Sequence, residues 1–233
     1  QMLAGKTLSC SNEANEYVYQ FKDSLQKDIK LVFRLYNDGV AFRYEIPALE
    51  EALIKDELTT IRIPEGRKRW MQTYDQGYEG FYPESTTGKI TTGRNRSQQW
   101  GNPALIQVAD DVWTLISEAS IEKMHSASSW KNDKVVTDYK LFLDKNEKPV
   151  SGDWFSPWRV VMIGSLADVV ESTLITDVSP ASRVEDTSWI QPGSVSWIYW
   201  AYNHGSKDYQ IVKKYIDMAV EMKLPYVLID AEW

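Results

Sequence analysis

The sequence predicts a mainly β protein whose pattern changes once, near residue 190, into a β-α-β unit. Three observations carry this. Short apolar runs recur from residue 15 to about 190, several at period 2, and Gly, Pro, Asn and Asp turn signals separate them. One helix-period segment then lies between two wholly apolar runs close to the C-terminus. The expected domains are therefore residues 1–190, incomplete at its start, and residues 191–233.

The clearest β segment is "LVFRLYNDGVAFRYEI", residues 31–46. Leu31, Phe33 and Leu35 alternate with Val32, Arg34 and Tyr36, a turn follows at Asn37-Asp38-Gly39, and Val40, Phe42, Tyr44 and Ile46 alternate with Ala41, Arg43 and Glu45. This predicts a hairpin with one wet and one buried face. Further strands are expected at "TTIRIP", "ALIQVAD", "VWTLISEA", "YKLFLD", "PWRVVMIG" and "STLITDV". Many short strands at this spacing imply a sandwich or barrel-like β architecture. No exact repeat or low-complexity tract interrupts them.

After "SWIQPGS" the pattern switches. Val195–Trp200 is a short apolar strand. Ile211, Tyr215, Ile216, Ala219 and Val220 then recur at helical spacing between Asp208, the expected N-cap, and Met222. Leu224-Pro225 ends the helix, and Tyr226–Ile229 is a second apolar strand. The two strands should be parallel, joined by a right-handed crossover. Strands this apolar expect cover on both faces. A closed eight-stranded α/β barrel takes about 250 residues, so the expectation is a barrel that continues past Trp233. Asp230, Glu232 and Trp233 then stand at the carboxyl end of a parallel strand, where such barrels place their active sites.

Composition excludes several function classes. The net charge is −7, with Lys and Arg scattered, which lacks the basic face that nucleic acid or an anionic membrane requires. No apolar run approaches a membrane span. Cys10 is the only cysteine, so an intrachain disulfide and CxxC metal or redox motifs are excluded. No Ser/His/Asp set, zinc spacing or Gly-rich phosphate loop is present. The chain holds 10 Trp and 13 Tyr; flat aromatic faces suit sugar rings, though β-rich proteins favour aromatics anyway. No signal segment follows Gln1, and "NRS" at 95–97 matches a glycosylation sequon.

The ordered set "YNDGVAFRYEIP" (36–47), "GYEGFYPE" (77–84), "LISEAS" (115–120), "SPWRVVMIG" (156–164), "SWIQPGSVSWIYW" (188–200) and "YVLIDAEW" (226–233) resembles glycoside hydrolase family 97, bacterial α-glycosidases acting on α-glucosides or α-galactosides. The resemblance implies an N-terminal β-super-sandwich followed by a catalytic (β/α)8 barrel, of which this chain holds the first β-α-β unit. It implies hydrolysis of terminal α-linked sugars in oligosaccharides or glycosides, a periplasmic or extracellular location, and catalytic carboxylates on later strands, so no catalytic residue is assigned here. The ending "LIDAEW" is closer to the retaining, galactosidase-like branch. The resemblance also implies an active-site calcium ion with Glu118 of "LISEAS" as one ligand, a role that suits a hard cation; the other meaning of Glu118 is a solvated strand-end acid.

The substrate-binding candidates are Asp230, Glu232, Trp233, Trp200 and His204. Asp230 and Glu232 alternate on one strand end and suit sugar hydroxyls, or equally the capping of the next loop. Trp200 and Tyr199 suit a sugar platform, although packing between domains explains Trp197 and Trp200 as well. His204 follows the first barrel strand on the same functional face, whereas His125 stands alone. A second class of function stays open: a non-catalytic β-sandwich module that binds carbohydrate or a protein partner.

Overall fold

A computed structural model describes residues 5–7, 9–90, 98–122, 127–143, 149–199, 201 and 205–230. The protein is mainly β. Its strands are β1 (Asn15–Lys22), β2 (Asp28–Tyr36), β3 (Gly39–Ala52), β4 (Thr60–Arg62), β5 (Arg69–Thr73), β6 (Glu84–Ser85), β7 (Gln99–Ala109) and β8 (Val112–Ala119). They are followed by β9 (Ser128–Lys131), β10 (Asp138–Leu143), β11 (Val150–Phe155) and β12 (Trp158–Gly164). Two short helices come next, α1 (Leu166–Glu171) and α2 (Leu174–Asp177), then β13 (Val195–Trp197), α3 (Tyr209–Glu221) and β14 (Tyr226–Leu228). Two compact units result, Gln1–Ala181 and Ser182–Trp233. No helix among the described residues is long and apolar enough to cross a membrane.

In the first unit one antiparallel sheet runs β1-β2-β3-β12-β8-β7-β9-β10-β4, with β11 added to β3 and β5 joining β7 to β6. Period 2 gives the central strands two buried faces. Val160 and Met162 of β12 enter one core with Val32, Ala41, Ala119, Trp158, Val169 and Leu174. On the other face Ile116 of β8 joins Ile63, Met71, Trp100, Ala104, Trp130, Tyr139 and Leu141. Burying so many large apolar and aromatic side chains, each worth about 1.5–3 kcal/mol, is the main force that holds the unit together.

The expected hairpin is β2–β3, closed at Tyr36↔Gly39. Its buried side carries Val32 and Ala41, whereas Leu35 is exposed. Arg34 and Arg43 produce this orientation by lying 4.7 and 4.5 Å from the Trp158 ring centroid, so their stems cover core rather than water. Gly39 is required by close approach: a Cβ there would stand 2.3 Å from the Val161 carbonyl oxygen of β12.

The expected strand at "STLITDV" is a correction. Leu174 and Val178, four apart, are both buried, which is helical spacing, and α2 starts at Leu174 and is capped by Val178. Upstream, Ser165 and Asp168 form a capping box that starts α1.

In the second unit β13 and β14 pair in parallel, Val195↔Tyr226 to Trp197↔Leu228, with α3 between them in sequence. The Asp208 carboxylate accepts from the Gln210 N–H at 2.8 Å and caps α3. The β-α-β unit is therefore present as expected. Val195, Tyr226 and Leu228 of its strands are nevertheless exposed.

Candidate functional site

Two polar constellations fall on the sequence-predicted positions, one in each unit. In the first unit β8 and β12 pair antiparallel with Glu118 directly opposite Arg159. Both side chains lie on the face of the second core, since their neighbours Ala119, Trp158 and Val160 occupy the first. A single arginine in the apolar run "PWRVVMIG" must be paired when buried. Arg159 donates through Nε and Nη2 to both oxygens of Glu57 at 3.0 and 2.6 Å, and through Nη1 to Glu118 Oε2 at 2.6 Å. Side-chain exposure is only 3% for Arg159 and 6% for Glu118, so Glu118 is not a solvated strand-end acid.

Other donors complete the network. Ser128 gives its N–H to Glu118 Oε1 at 2.9 Å and its hydroxyl to Oε2 at 2.7 Å. Thr59 donates its hydroxyl to Glu57 Oε1 at 2.7 Å. Asn102 extends the chain: its amide donates to the Ser128 carbonyl at 3.2 Å, its side-chain oxygen accepts from Trp130 Nε1 at 2.7 Å, and its carbonyl accepts from the Tyr82 hydroxyl at 3.3 Å. Burial pushes the Tyr82 hydroxyl pKa above its ordinary value. "GYEGFYPE", "LISEAS" and "PWRVVMIG", separate in sequence, thus meet in one hydrogen-bonded network.

Calcium takes six to eight oxygen ligands. Among the described residues no group of three or more His, Cys, Asp or Glu could hold a metal ion. The Arg159 guanidinium occupies the cationic position between Glu57 and Glu118. Among the described residues, Glu118 Oε1 accepts from the Ser128 N–H, whereas Oε2 accepts from both the Ser128 hydroxyl and Arg159. By themselves the described residues do not fit a calcium ion.

In the second unit the ends of the parallel strands bring Trp197 and Asp230 together. Trp197 Nε1 donates to Asp230 Oδ2 at 2.7 Å, and Asp230 holds its backbone at φ 68, a left-handed conformation that Asp adopts more readily than most non-glycine residues. Ser206 donates its hydroxyl to the carbonyl of Ile229, fixing the same turn from the other side. Trp200, His204, Glu232 and Trp233 lie outside the described residues, as do His125 and the 95–97 sequon. Sequence reasoning placed Asp230 but missed Arg159, Glu57 and the Asn102 bridge. The lone arginine of an apolar strand was the available signal for the first, whereas Glu57 and Asn102 sit in unremarkable stretches.

Residues 1–180 match the family model described as Glycosyl-hydrolase 97 N-terminal. The chain is 30% identical to a protein named probable retaining alpha-galactosidase from Streptomyces bingchenggensis, over 98% of this chain and 35% of that one. It is 24% identical to a retaining alpha-galactosidase from Bacteroides thetaiotaomicron, over 95% of this chain and 38% of the relative. It thus spans about a third of the length of these curated relatives. Among solved structures it is similar to a beta-arabinopyranosidase, with TM-score 0.77 and 24% identity over 93% of this chain and 38% of that one. A Pseudoalteromonas family 97 enzyme in complex with acarbose gives TM-score 0.71 and 19% identity over 92% and 38%.

Proposed function

Because this chain belongs to the glycosyl-hydrolase 97 N-terminal family, we propose that it is the N-terminal portion of an exo-acting α-glycosidase, with α-galactosides as the preferred substrates. The observation that carries this is the extent of the likeness. The Streptomyces relative, named for retaining α-galactosidase activity, aligns along 98% of the chain, hence along the β-α-β unit as well as the β domain.

The geometry supports the same reading. A parallel β-α-β unit follows the matched domain, and its strands expose Val195, Tyr226 and Leu228, apolar positions that neighbouring strands and helices of a barrel would cover. Asp230 stands at the strand's carboxyl end, the end at which such barrels bind substrate, and is oriented there by the Trp197 indole. Retaining hydrolysis needs two carboxylates, one protonating the leaving oxygen and one attacking the anomeric carbon. Neither is assigned among the described residues. Their contribution is to hold a rigid β scaffold and orient Asp230.

Calcium belongs to this proposal only as a ligand of the longer protein. Glu118 would offer one oxygen, and the remaining ligands would come from elsewhere.

The test compares the purified 233-residue chain with the longer protein on an aryl α-galactoside and an aryl α-glucoside. The chain alone should release no aryl alcohol, whereas the longer protein should release it, faster from the galactoside. Chelation should abolish the activity and calcium restore it. A longer protein inactive on both substrates, yet binding oligosaccharide, would favour the non-catalytic module instead. Full activity after exhaustive chelation would remove the ion from the proposal and leave Glu118 as a partner of Arg159 and Ser128.

A further inference from the structure

We draw no further inference here: the strongest candidate, the apolar cavity of about 620 Å³ that Leu105 of β7, Leu115 of β8 and Met162 of β12 floor and that α1, α2 and Lys6 border, carries none, because nothing in the structure shows what covers it.

Discussion

A guanidinium 3% exposed between two carboxylates makes Arg159 an exacting position in the β domain. Its five N–H donors form a fork that satisfies both Glu57 oxygens and one of Glu118. Removing it would leave two buried carboxylates close together without their cation, the costly way of breaking such a network. Arg159→Ala should therefore destabilise the chain by about 3–5 kcal/mol, measured as the loss of urea unfolding free energy. Glu118→Gln, which keeps the side-chain shape and leaves Glu57 on the guanidinium, should cost clearly less. Equal losses for the two variants would mean that the pair with Glu118, rather than the whole triad, carries the stability.

At the scale of elements, the curled sheet is clasped across its interior by Tyr139 of β10 and Arg69 of β5, strands that do not pair with each other. Both are fully buried, and Arg69 Nη1 donates to the Tyr139 hydroxyl at 2.9 Å. Burial holds the Tyr139 pKa above its ordinary value, against the opposing pull of Arg69. Folding thus favours the neutral phenol. Its contribution is whole below the unfolded value of about 10 and is lost as pH rises toward and through the higher folded value. Unfolding free energy should fall above about pH 10, and Tyr139→Phe should lessen that slope while costing about 1–3 kcal/mol at neutral pH, since the buried Arg69 Nη1 loses its Tyr139 acceptor. An unchanged alkaline slope would contradict this. Elements were legible where the period was long. The β2–β3 hairpin and α3 followed from their patterns, and Asp208 caps as its identity demands. The buried face of the hairpin was not legible, because Arg34 and Arg43 count as polar in sequence yet lie on Trp158. Nor was α2, since four residues carry too little period to tell helix from strand. The place of Asp230 just past a strand's carboxyl end was legible, whereas Glu57 and Asn102 reach Arg159 and Ser128 only through long-range packing.

At the scale of the whole molecule, the two units differ in how far they satisfy their own apolar surface. The first holds both cores, and its central strands are covered on both faces. The second buries Ile198 and Ala219 but exposes Val195, Val220, Tyr226 and Leu228. At the start of the second unit, residues 182–194 are nearly all exposed and contain no strand or helix. The bonds there include short-range ones, such as the Val184 N–H to the Ser182 hydroxyl, the Ser188 N–H to the Asp186 carboxylate, the Ile190 N–H to the Thr187 carbonyl and the Trp189 indole to the Asp186 carbonyl. One more runs from the Tyr226 hydroxyl to the Gln191 carbonyl. Proteases cut where backbone is exposed and few contacts oppose local unfolding. Limited digestion of the 233-residue chain should therefore cleave first near Arg183 or Trp189. The N-terminal product should persist with its β-type circular dichroism and the urea midpoint of the uncut chain, and the C-terminal piece should disappear. Both products surviving together would show that the β-α-β unit is stable on this chain alone. First cleavage within the sheet strands would mean that the β domain does not hold itself together as its two buried cores require.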